Sequence, residues 1–94
     1  MPSKPPPGHF QILYFALAST LTGKDAEPLP APLPLSQLFS KLEELYPRIR
    51  GQVLESSLVT VNMEYVDVPS HGEEGETVLQ EGDEVAIIPP VSSG

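Results

Sequence analysis

Cysteine is absent from the 94-residue chain, which excludes a disulfide framework, a thiolate metal site and a side-chain thiol nucleophile. Basic side chains are scarce: five Lys and Arg stand against thirteen Asp and Glu, for a formal charge of −8. That balance opposes nucleic-acid phosphates and anionic membranes, and it suits basic protein partners or an ordinary acidic soluble domain. No apolar run approaches the roughly twenty residues of a membrane span, and no signal-peptide core precedes the first charges, so a cytoplasmic address is expected. The two histidines, His9 and His71, lack metal-ligand spacing, and Glu73, Glu74, Glu76, Glu81 and Glu84 match no calcium loop. Gly72 and Gly75 sit at no strand-to-helix junction of the phosphate-binding kind. No metal and no cofactor is expected, and catalysis by the chain alone is disfavoured.

What the chain does contain is one domain's worth of alternating and periodic apolar residues, without internal repeats. Pro2, Pro5, Pro6 and Pro7 deny residues 1–8 both helix and ladder hydrogen bonds, which predicts a flexible, extended leader. His9 to Ala18 reads as a strand, with Phe10, Ile12, Tyr14 and Ala16 on one face and Gln11, Leu13, Phe15 and Leu17 on the other. Thr22-Gly23-Lys24-Asp25 signals a turn. Leu35, Leu38, Phe39, Leu42, Leu45 and Tyr46 form one apolar stripe at helical spacing, with Ser36 placed to cap it and Pro47 to stop it. Beyond Gly51, a strand is expected over Leu58 to Val61, a turn at Asn62-Met63-Glu64, and a return over Tyr65 to Val68. Pro69 to Glu76 reads as a polar loop, Thr77 to Leu79 as a brief strand or turn, and Glu84 to Ile88 as the last strand.

The final strand runs into a small-residue tail. Gly82-Asp83 marks a tight turn before it, and Pro89-Pro90 after it holds the chain extended and directs Val91 to Gly94 away from the domain. Ser92, Ser93 and Gly94 are slim enough for a narrow channel, and Gly94 has no Cβ to crowd a reagent at its carboxylate. A frayed end is the plain alternative. The blocks Ile12-Leu13-Tyr14-Phe15-Ala16, Val61-Asn62-Met63-Glu64-Tyr65-Val66 and Gly82-Asp83-Glu84-Val85-Ala86-Ile87-Ile88-Pro89-Pro90-Val91-Ser92 closely resemble the small, sulfur-carrying subunits of molybdopterin synthase, over roughly residues 9 to 94.

That resemblance implies an α+β, ubiquitin-like β-grasp fold: a mixed sheet packed on one main helix over residues 9–90, a leader at 1–8 and a reactive tail at 91–94. In such a fold Pro28 to Pro34 is the second strand of the opening hairpin, confined by its prolines to a sheet edge. The resemblance also implies that an E1-like adenylating sulfurtransferase converts the Gly94 carboxylate to a thiocarboxylate, which the large synthase subunit uses to sulfurate cyclic pyranopterin monophosphate. Family members usually end in Gly-Gly, whereas this chain ends in Ser93-Gly94. Without a cysteine, any sulfur chemistry of the chain must occur at the backbone terminus.

The two-faced first strand is an independent clue. One helix covers only one face of a small sheet, so if Ile12, Tyr14, Val85 and Ile87 point to the helix, Leu13, Phe15, Ala86 and Ile88 face outward. By resemblance Phe15, Tyr65 and Ile88 contact the large subunit, followed by Pro89, Pro90, Val91, Ser92 and Ser93 of the tail. A satellite core beneath the long loop is the other use for these residues. Two further functions stay open at this level, a ubiquitin-like modifier joined to lysines through Gly94 and an interaction module with an inert tail.

Overall fold

A computed structural model describes residues 4–68 and 77–90. The chain enters its sheet through a Pro6–His9 turn in which the His9 N–H donates to the Pro6 carbonyl at 3.1 Å. Pro7 fixes φ at the second position and Gly8 supplies the positive φ of +77° at the third, as a type II turn requires. The Gly8 N–H also donates to the Glu81 carboxylate, and the Ala31 N–H to the Gly8 carbonyl. These bonds tie Gly8, the last residue of the expected leader, to the domain; residues 1–3 lie outside the described part.

Strand β1 (His9–Tyr14) forms an antiparallel hairpin with β2 (Ala26–Pro30) and pairs in parallel with β7 (Glu84–Ile88). Antiparallel pairing then joins β7 to β4 (Leu58–Val61), and β4 to β5 (Glu64–Val66), for a five-stranded order β2-β1-β7-β4-β5. Two residues each from β3 (Leu33–Pro34) and β6 (Val78–Leu79) make a separate small ladder. Among the helical elements are α1 (Leu17–Thr22), α2 (Leu38–Leu45) and the single turn α3 (Ile49–Gln52). Phe10, Ile12, Tyr14, Val85 and Ile87 meet Leu38 and Leu42 in one buried cluster, so the helix-facing residues are those the alternation selected.

Four local readings need correction. The predicted first strand ends at Tyr14, because Ala16 turns the backbone to φ 51° and a short helix follows, closed by left-handed Gly23 whose N–H donates to the Ser19 carbonyl. A run such as Ala16 to Ala18 is apolar enough to read as either element. Second, the proline-rich stretch divides: Ala26–Pro30 is the edge strand, and Leu33–Pro34 belongs to the other ladder. Inward backbone bonds, Tyr14 N–H to the Asp25 carbonyl and Ala31 N–H to the Gly8 carbonyl, put odd-numbered residues of this segment toward β1. Pro28 and Pro30 thus face outward, where a missing N–H breaks no ladder bond. Third, the long apolar stripe splits into a 3₁₀ turn at Leu35–Gln37 and α2, so Ser36 lies within the turn and Gln37 occupies the N-cap; Leu45, at the far end, stays 44% exposed. Pro47 does end the helix, with Tyr46 as C-cap. Fourth, Glu64 belongs to β5 and not to the turn before it. The predicted polar loop lies outside the described residues.

Leu42 is fully buried between helix and sheet. Leu42→Ala should lower the unfolding free energy by about 2–5 kcal/mol, read from the midpoint of urea denaturation with an unchanged slope.

Candidate functional site

The sheet face opposite α2 carries a cross-strand row and a second apolar group beside it. Leu13 of β1 pairs with Ala86 of β7, Ala86 with Thr60 of β4, and Thr60 with Tyr65 of β5. One step toward the end of β7, Ile88 pairs with Leu58, and the Phe15 N–H donates to the Ile87 carbonyl at 3.2 Å, which continues the β1 register past its end. Phe15 is 47% exposed, Leu58 57% and Tyr65 71%, while Ile88 is half-buried. Phe15 and Tyr65 therefore fill no satellite core. Three residues picked from sequence thus share one face, and two of them, Phe15 and Ile88, lie at the end where β7 leaves the sheet.

Leu58 and Met63 of the β4–β5 turn are exposed as well, though the sequence motifs do not mark them as contacts. Leu58 was legible in principle, since Val59 and Val61 lie toward the core, one buried and one half-buried, and strand alternation then turns Leu58 outward. Immediately after Ile88, Pro89 is buried and Pro90 exposed, so the chain turns from core to surface within two residues. Val91, Ser92, Ser93 and Gly94 lie outside the described residues.

A second cluster sits at the β2 edge on the helix side. Glu27 accepts hydrogen bonds from the Tyr14 hydroxyl at 2.6 Å, the Tyr46 hydroxyl at 2.5 Å and Lys24 Nζ at 3.2 Å. The two tyrosine rings meet edge to face, 6.2 Å between centroids. Burial tends to raise the Glu27 carboxyl, but the bonds from Tyr14, Tyr46 and Lys24 hold it below the ordinary carboxylate range. Burial and the Glu27 carboxylate push the Tyr14 hydroxyl far above the usual tyrosine range. Such a tyrosine neither titrates nor attacks near neutral pH, and the described residues include no His, Cys, Asp and Glu grouping that could hold a metal. The cluster is a structural clamp between β1, β2 and the end of α2.

A mixed sheet with its first and last strands parallel at the centre, one main helix on one face and an apolar opposite face, defines a ubiquitin-like β-grasp protein. SAMP1 from Haloferax volcanii has this fold, with a TM-score of 0.73 at 20% identity over 93% of this chain and 100% of that one. So does a chain in the protein–protein complex of subunits 1 and 2 of the molybdopterin-converting factor from Helicobacter pylori, with a TM-score of 0.62 at 20% identity over 92% and 99% of the two chains. The ThiS family matches residues 12–94. The molybdopterin synthase sulfur carrier subunit of Pyrenophora tritici-repentis is 60% identical over 93 residues, which cover 99% of this chain and 98% of that protein. The chain belongs to the ThiS family, among the molybdopterin synthase sulfur carrier subunits.

The Glu27 clamp has a consequence for acid stability. Because its folded pKa lies below the unfolded value, the stabilisation is complete above pH 4.5 and is lost as pH falls through the lowered folded value. Urea midpoints measured from pH 6 to pH 3 should fall less steeply for Glu27→Gln than for the parent chain, and the variant should be less stable at pH 6.

Proposed function

We propose that this chain carries sulfur as a thiocarboxylate on Gly94, charged by an E1-like adenylating sulfurtransferase and delivered in the cytoplasm to the large subunit of molybdopterin synthase. The Gly94 carboxylate attacks the α-phosphorus of ATP and displaces pyrophosphate, which gives an acyl adenylate with a good leaving group. Sulfur at the sulfide oxidation level then displaces AMP, so the carboxyl carbon undergoes substitution without net redox change. In the large subunit the thiocarboxylate is a tethered nucleophile at high effective concentration, aimed at cyclic pyranopterin monophosphate. The carrier brings the reagent, and the partner supplies the pocket in which it reacts.

The observation that carries this reading is the joint position of Phe15, Leu58 and Ile88 at the end of the open face, where β7 passes into Pro89 and Pro90. A partner that covers that apolar group receives the tail at the rim of the same contact. The Helicobacter pylori complex is of two subunits of the molybdopterin-converting factor, which fits a carrier that works while docked. A modifier reading has the SAMP1-like fold in its favour, and native intact-mass measurement separates the two. Sulfur in place of one terminal oxygen supports the carrier; ladders of lysine conjugates support the modifier.

Phe15→Asp should weaken binding to the large subunit at least tenfold, because a desolvated charge would face the partner, while the unfolding free energy stays within about 0.5 kcal/mol of the parent. Unfolding without a separable binding defect would return Phe15 to the core. Deletion of Gly94 should reduce molybdopterin formation by reconstituted synthase about a hundredfold or more with docking intact, since it retracts the carboxylate by roughly 3.5 Å from a site that tolerates about 1 Å. A near-parental rate from the truncated chain would remove the terminus from the mechanism.

A further inference from the structure

The β4–β5 connection is a two-residue turn in which both central residues are left-handed, Asn62 at φ 50° and Met63 at φ 72°. This is the hairpin geometry that matches strand twist, and it favours Asn followed by Gly. Asn62 accounts for itself. Its N–H donates to the Glu84 carbonyl at 2.7 Å, its Oδ1 accepts the Glu84 N–H at 3.0 Å, and its Nδ2 donates to Asp83 Oδ1 at 3.2 Å. Met63 has no such return: its Cβ opposes the left-handed backbone, and its side chain is 86% exposed.

Neither local conformation nor the core explains a methionine there. A backbone held in a disfavoured region to display an apolar side chain is the pattern of a binding element. The three Asn62 bonds fasten the turn to the start of β7, so little ordering remains to be done when a partner arrives. Glu84 lies four residues before Ile88, about 13 Å along an extended strand, which places the turn at the end of the sheet remote from the Phe15, Leu58 and Ile88 group.

We propose that Met63 is a second anchor for the large synthase subunit, seated in an apolar pocket of that partner; this rests on the docking reading above. Tyr65, two residues on, links the turn to the open face, so one partner surface spans both ends. Two separated anchors would fix the angle of the carrier and with it the line along which residues 89–94 leave. The flexible thioether suits a pocket whose shape is set by the partner.

The test is a pair of variants of the full chain, with affinity for the large subunit measured by calorimetry and stability by thermal unfolding. Met63→Gly relieves the left-handed residue and should raise Tm by about 2–6 °C, yet weaken binding about tenfold. Met63→Ala keeps the backbone conformation and should weaken binding similarly, without the gain in Tm. Opposite signs for stability and affinity in Met63→Gly, with the binding loss repeated in Met63→Ala, support the anchor. Unchanged affinity in both variants overturns it, as does a loss seen only toward the adenylating enzyme. Phe15→Asp serves as the control: if it weakens binding and the Met63 variants do not, the docking face stands and the anchor alone fails, whereas a large subunit that does not bind the parent chain removes both.

Discussion

The parallel pairing of β1 with β7 is the constraint from which the rest of the molecule follows. It joins residues near the two ends of the chain at the centre of the sheet, with Ile12 opposite Val85 and Tyr14 opposite Ile87. A parallel pair needs a long crossover, and here everything from α1 to β6 is that connection. Because the crossover brings α2 to one face only, Phe10, Ile12, Tyr14, Val85 and Ile87 are buried while the alternating residues are left to the opposite side. The core and the open face are thus two consequences of one pairing, separated by the period of two along each strand.

The two sheet edges are treated differently. On β2, Pro28 and Pro30 point their N–H-less backbone outward, which denies a ladder to any added strand, and Glu27 turns inward to bind Tyr14 and Tyr46. At the other edge β5 is short and linked to β4 by the Asn62-Met63 turn, itself fastened to β7. Glu43 performs a similar service for the helical segment: its carboxylate accepts the N–H groups of Arg48 and Arg50 at 2.8 and 2.9 Å, which caps α3 and lowers the Glu43 pKa. These polar links sit at the margins of the core, where packing alone leaves strands and helix ends free to shift.

Function is then a matter of what such a frame presents. The chain is small and acidic, has no cysteine, and its described residues include no His, Cys, Asp and Glu grouping that could hold a metal. It has an apolar face, a turn hydrogen-bonded to the start of β7 at one end of that face, and at the other a strand that leads into Pro89 and Pro90.

Much of this was legible in the residues themselves. The alternation in β1 and β7 assigned Ile12, Tyr14, Val85 and Ile87 to the core and Phe15 and Ile88 to the open side, because side-chain direction along a strand has a fixed period. Pro47 stopped the helix and Gly82 turned the chain before β7, because both act through their own backbone geometry. Other features depended on partners distant in sequence. Whether Leu17 to Thr22 formed helix or strand, where Leu33 and Pro34 found a ladder, and how far the Leu35 to Tyr46 stripe was covered were decided by tertiary packing, since apolar segments this short satisfy either period. The Glu27 clamp joins residues 14, 24, 27 and 46, and the Asn62 bonds join residues 62, 83 and 84. The sequence by itself determined the faces, the breaks and the family; the three-dimensional structure alone decided which polar side chains meet, because that depends on the spatial register of elements that no local periodicity encodes.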